Sequence, residues 1–152
     1  MNIVISHEDF DINNIFYKQA IKNTILNDGN FIRIIYSTDI CSFNGICMHF
    51  KMPIDYIDKS FNKYKCLFNI DINAKIIENI STIERNIMSK YNLLNRQPTY
   101  RASEQLRNGK IKVTRLNNTE NKSDQLTTFN FKISGLWYNE EEYGLTYKFI
   151  QV

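Results

Sequence analysis

Two prolines and five glycines in 152 residues leave no Pro- or Gly-rich linker and no collagen-like repeat, so composition marks no seam at which the chain would divide. No apolar run reaches the ~18–20 residues needed to cross a bilayer, and the opening MNIVISHEDFD carries acids where a secretory signal would carry its basic region. The expectation is a soluble intracellular protein with no membrane partner. Cysteine is scarce and odd in number: Cys41, Cys47 and Cys66 form no Cys-x-x-Cys pair, and only His7 and His49 could add imidazole. That spacing fits neither a zinc motif nor a disulfide framework, and the three thiols read as small apolar residues in a reducing compartment. Gly-x-Ser-x-Gly and Gly-x-x-x-x-Gly-Lys are both missing, which removes the common hydrolase and phosphate-cradling signatures. No catalytic residue, metal or cofactor is expected.

What is present is apolar and aromatic. A 43% apolar composition with 13% aromatics suffices for one buried core, so residues 1–152 are read as a single domain. NIVIS (Asn2 to Ser6) suggests a first strand, and Asp11 could cap a helix from about Ile12 to Leu26, with Ile12, Ile15, Phe16, Ala20 and Ile21 near one face. NFIRIIYS (Asn30 to Ser37) and ICMHFKM (Ile46 to Met52), separated by Asn44-Gly45, read as a hairpin. FNKYKCLFNI (Phe61 to Ile70) reads as a third strand, with Tyr64, Cys66 and Phe68 on one face and Lys63, Lys65 and Leu67 on the other. From Ala74 to Asn92, Ile76, Ile77, Ile80, Ile83, Ile87, Met88 and Tyr91 recur at three- and four-residue intervals, the pattern of an amphipathic helix laid on the sheet. A helical turn over Ser103 to Arg107, a strand from Ile111 to Leu116, a mobile loop over residues 117–125, and strands LTTFNFKISGLWY and YGLTYKFIQV complete the chain. Without βαβ alternation the expected class is α+β or mostly β: an antiparallel barrel or sheet of about five to seven strands, with one long amphipathic helix and a shorter N-terminal one.

Net charge is only +3, too small to imply a nucleic-acid partner, but its distribution is uneven. Between Arg85 and Arg115 eight basic residues face one acid, Glu104, for a net +7, and the remainder of the chain carries −4. Five of the six arginines lie in that segment, and arginine suits forked phosphate contacts and stacking on bases. Basic residues with aromatic platforms are what sequence-tolerant single-strand binding requires. The candidate phosphate contacts are Arg96, Arg101, Arg107, Lys110, Lys112 and Arg115; Tyr100 is the first stacking candidate, and Arg33, Tyr64, Lys65 and Trp137 are further ones. Arg33 and Tyr36 fall on opposite faces of their strand, so one of them is structural. Trp137, the single tryptophan, suits a core as well as a stacking surface. Glu140, Glu141 and Glu142 are consecutive and diverge, which marks a solvated turn rather than a metal site.

The segments NFIRIIYSTDICSFNGICMHF, IERNIMSKYN, EQLRNGKIKV and FKISGLWYNEEEYGLTYKFI resemble a family of small proteins from nucleocytoplasmic large DNA viruses, associated with phage-like single-stranded DNA-binding proteins of OB-fold type. The likeness runs from about Gly29 to Ile150 and rests on strand and turn patterns. It implies an OB-like five-stranded barrel elaborated by helices and binding of single-stranded DNA without sequence preference. It further implies a role in viral replication, recombination or repair, in the host cytoplasm, a viral factory or the nucleus. Such binders carry a long acidic tail, whereas this chain closes on GLTYKFIQV, so tail-mediated recruitment of partners is not expected; homo-oligomerisation is left open. The rival expectation is a viral structural or host-interaction module that binds protein through a sheet edge or the Ile-rich helix. An enzyme acting on nucleic acid would have to gather carboxylates from Asp9, Asp11, Asp55, Asp58 and Asp71, whose spacing is not diagnostic.

Overall fold

The computed structural model describes residues 3–22, 29–93, 95–115 and 126–152. Its elements in chain order are β1 (Val4–Ser6), two single 3-10 turns (His7–Asp9 and Ile12–Asn14), β2 (Ile15–Tyr17), β3 (Ile21–Lys22), β4 (Asn30–Ser37), β5 (Ser42–Asn44), β6 (Ile46–Pro53), β7 (Tyr56–Ser60), β8 (Lys63–Leu67), α1 (Ala74–Lys90), β9 (Gln97–Thr99), α2 (Arg101–Arg107), β10 (Lys110–Arg115), β11 (Leu126–Tyr138) and β12 (Glu142–Gln151). The loop expected over residues 117–125 lies outside the described residues, as do residues 23–26 of the expected N-terminal helix.

These strands form one mixed sheet of twelve, whose main path runs β1-β6-β11-β12-β10-β8-β7. The end strands β1 and β7 do not pair, so the sheet is open. This corrects the expected five to seven strands and the OB-like barrel. It also corrects the antiparallel expectation, because β1 runs parallel to β6, and both β9 and β10 run parallel to β12.

The divergence from a barrel starts at one crossing. β11 is 13 residues long and uses one edge twice: Leu126 to Ile133 pair with β6, and after an irregularity between Ile133 and Gly135 its last residues pair with β4. At the same point the chain from Ser42 to Pro53 kinks at Gly45, leaving β4 for β11. Gly45 has φ +78°, and a Cβ there would sit 2.7 Å from the Ile133 carbonyl oxygen; both the left-handed backbone and the close approach require glycine. The expected hairpin between Asn30–Ser37 and Ile46–Met52 is therefore wrong in partner. β4 pairs with the short β5, and β6 turns away to β11.

The expected helix from Ile12 is absent over its described part. Ile12–Asn14 makes one 3-10 turn, capped by Asp11, whose carboxylate accepts the Asn13 N–H at 2.9 Å. Then Ile15–Tyr17 and Ile21–Lys22 pair antiparallel with β4. The apolar spacing fits a helix, but Ile15, Phe16 and Tyr17 are β-branched and aromatic, and strand pairing overrides a weak helical propensity. Tyr56–Ser60, to which the sequence pattern assigns no element, is a strand as well. It joins β8 through Phe61 and Asn62, both at positive φ, the two-residue turn whose twist matches a hairpin.

One face of the central strands is apolar. Met48, Phe50 and Met52 of β6, Phe129, Phe131 and Ile133 of β11, Phe149 of β12, and Ile111 and Val113 of β10 are all buried in a single cluster. Helix α1 covers this inner face with Ile77, Ile80, Ile83, Ile87 and Met88. Burying five such side chains stabilises the fold by on the order of 10 kcal/mol before entropy is counted. The Ile-rich stripe is thus core, not a free docking surface. At the start of α1 the Asn73 side-chain amide donates to the Asn69 carbonyl at 2.9 Å. At its end Tyr17 donates its hydroxyl to the Ile87 carbonyl at 2.6 Å, which fixes the helix to β2.

Candidate nucleic-acid interface

β12 has strand neighbours on its β10 side only near its ends. β9 pairs with Glu142 to Gly144, and β10 joins only from Phe149 onward. Helix α2 fills the interval, and Gln105 stands in for the missing strand: its amide donates to the Tyr147 hydroxyl, and its Oε1 accepts the Lys112 N–H at 3.0 Å. Burial, with the Glu84 carboxylate close by, pushes the Tyr147 phenol up to about 12, so it stays neutral at physiological pH.

Glu84 of α1 sets the position of α2. It is fully buried, and its carboxylate accepts the Ala102 N–H at 3.2 Å, the Ser103 N–H at 2.7 Å and the Ser103 hydroxyl. A buried carboxylate tolerates such a place only when its oxygens are satisfied, and here it satisfies in return the unpaired donors at the start of a short helix.

Where β10 and β12 part around α2, two adjoining hollows of about 420 Å³ and 460 Å³ open, with Arg101, Gln105, Lys112 and Tyr147 in both walls. The first adds Lys65 and Lys110, with Glu104 as its acid. The second adds Trp137 and Lys148. The Arg101 guanidinium lies 4.7 Å from the centre of the Trp137 ring. Trp137 itself lies across Gly144, where a Cβ would come within 3.0 Å of the indole, so the missing side chain keeps the ring flat against the sheet and half-buried. Among the described residues one ion pair is present, Arg85 Nη2 to Glu78 Oε1 at 3.9 Å, and it lies on α1. Among the described residues the groove cations make no salt bridge.

The structure therefore gathers Lys65, Arg101, Lys110, Lys112 and Trp137 of the sequence candidates into one groove. Arg33 is exposed on the same outer face, 5.5 Å from the centre of the Phe31 ring, and Tyr36, its opposite number, is buried. Other candidates lie elsewhere. Arg96 stacks 4.8 Å from the Tyr138 ring and donates to the Asn139 carbonyl at 2.6 Å, which ties down the β11–β12 turn. Tyr100 is exposed at the start of α2 but lies on the side of Tyr143, whose phenol burial pushes up, and does not line the groove. Arg107 is exposed in the last turn of α2, also off the groove. Tyr64 packs against the core beneath the Lys59 ammonium. The backbone of Arg115 ends β10, and its side chain lies outside the described residues.

Sequence reading missed Lys148, Lys132 and Phe31. The signal was available: Lys132 and Lys148 each sit between apolar residues in adjacent strands, which places them on the face opposite the core. The turn with Glu140 to Glu142 is shaped by Asn139, whose side-chain oxygen accepts the N–H of Glu141 at 2.9 Å and of Glu142 at 2.7 Å. Among the described residues no three His, Cys, Asp or Glu side chains gather closely enough to hold a metal ion, and no helix is long and apolar enough to cross a membrane. No known protein family, curated protein or solved structure matches the chain.

Proposed function

We propose that this protein binds single-stranded nucleic acid, DNA in preference, without sequence selection and without catalysis. The observation that carries the reading is the groove beside α2, where Arg101 lies on Trp137 and Lys65, Lys110, Lys112 and Lys148 surround them, with no salt bridge to them among the described residues. Cations neutralise phosphates regardless of sequence, and an indole stacks on any base. The resemblance to viral single-strand binders supports a place in replication, recombination or repair through shared strand and turn segments, not through a barrel. Fluorescence anisotropy of labelled single-stranded DNA, duplex DNA and RNA at two salt concentrations tests it. Preferential single-strand binding that weakens steeply with salt is the expected result, and no binding at low salt overturns it.

A second reading, a structural or host-interaction module, is favoured by one feature. β7 is an open sheet edge carrying exposed Tyr56, and Phe61 at the tip of its hairpin is 96% exposed. An unpaired edge with aromatic residues can add a strand from a partner, and such a contact tolerates salt.

A further inference from the structure

Resting on that reading, the geometry points to a longer binding track: single-stranded DNA stacks on a paired Trp137–Phe31 platform and then lays its phosphates along a row of four lysines across the outer face of the sheet.

The row is built by register. Lys65 of β8 lies opposite Lys112 of β10, and Lys148 of β12 lies opposite Lys132 of β11. Lys112 and Lys148 share the wall of one hollow, so the four occupy neighbouring strands β8, β10, β12 and β11. With strands about 4.8 Å apart, the row crosses roughly 14 Å at right angles to them. Cys47 of β6 lies opposite Lys132, and Lys132 and Lys148 both pull its thiol down against the burial that raises it. Like charges opposite one another weaken a sheet, and the acid in line with the row, Asp58 opposite Lys65 on β7, stands only at its end. Among the described residues the four lysines make no salt bridge, and a polyanion laid along the row removes their mutual repulsion.

The platform is built the same way. Trp137 of β11 lies opposite Phe31 of β4, on the same face, and each ring carries its own guanidinium, Arg101 and Arg33. Two aromatic faces side by side accept two bases, and the two arginines stand ready for the phosphates between them. From Trp137 the face continues along β12 through Thr146 to Lys148, which joins platform to row.

Thymidine oligonucleotides of about 4 and about 16 nucleotides, spanning the usual site sizes, separate the track from the groove. In the variant Lys132→Gln, which lies outside the groove, the salt slope for the long oligonucleotide falls by about 0.7, one phosphate contact's worth, while affinity for the short one is unchanged. Lys132→Arg retains the wild-type slope. Phe31→Leu, checked for folding by its melting curve, binds more weakly at an unchanged slope. A Lys132→Gln protein with the wild-type slope overturns the track and leaves the groove standing. Wild-type protein that binds neither length overturns both.

Discussion

A guanidinium lying on a half-buried indole is worth about 0.5–2 kcal/mol, whereas a base stacked on the same ring is worth about 1–3 kcal/mol. A base can therefore displace Arg101 from Trp137, and the freed arginine stays within reach of the phosphate that arrives with it. Trp137→Ala is expected to weaken single-strand binding by about 1–3 kcal/mol with the salt slope unchanged, and Arg101→Gln to lower the slope by about 0.7, both read from anisotropy titrations. The thiols offer an independent check of the fold. Cys41 is exposed while Cys47 and Cys66 are buried, and burial pushes the Cys47 thiol up. One thiol per chain is expected to react with an aromatic disulfide reagent in the native state and three after unfolding; fast reaction of all three would contradict the packing. At this scale the candidates on predicted strands were the legible ones. Lys65, Lys110 and Lys112 reached the groove because alternation fixes which way a strand residue points, whereas Trp137 shares the parity of buried Phe131 and Ile133 and reaches the outer face only through the irregularity between Ile133 and Gly135. Arg96, Tyr100 and Arg107 lie on turns or a helix, where the segment charge says nothing about direction.

α2 is seven residues long, too short to be stable alone, and it carries Arg101 and Gln105 only because Glu84 holds its first turn. Glu84→Ala leaves two buried N–H groups and a hydroxyl unsatisfied, at a cost of about 3 kcal/mol. Chemical denaturation should show that loss, and hydrogen exchange should show the amides of Ala102 and Ser103 opening before the sheet. Weakened DNA binding in a Glu84→Gln protein of near-native stability would place the effect on Arg101 rather than on folding. The kink between β5 and β6 has the same dependence on one residue. Gly45→Ala forces a Cβ into the Ile133 carbonyl at a left-handed backbone position, a strain of roughly 1–3 kcal/mol or more, measured by thermal melting. The long helix was legible because its isoleucines repeat at helical spacing and nothing competes for them. The N-terminal segment was misread because Ile12, Ile15 and Phe16 satisfy helical spacing too, and only the partner strand β4, distant in sequence, decides between the two.

The molecule as a whole is an open mixed sheet with α1 on one face and a basic, aromatic face on the other. A barrel would have curled the outer face closed around its ligand; the open sheet instead presents Lys65, Lys112, Lys148, Lys132, Trp137 and Phe31 to solvent on one side while α1 seals the other. Sequence patterns located most strands but could not locate the sheet. β11 changes partner at Gly135 and β6 leaves β4 at Gly45, so the topology depends on two local crossings that leave no periodic trace. The basic segment was visible as a charge excess, yet three of the four lysines of the row, Lys65, Lys132 and Lys148, lie outside it. Because Trp137 is the single tryptophan and lies in the middle of the basic, aromatic face, its intrinsic emission directly tests nucleic-acid binding there. During titration with a thymidine oligonucleotide the emission is expected to be quenched in step with binding and restored by added salt. Oligonucleotide binding that leaves the tryptophan emission unchanged, or no binding at low salt, would contradict it.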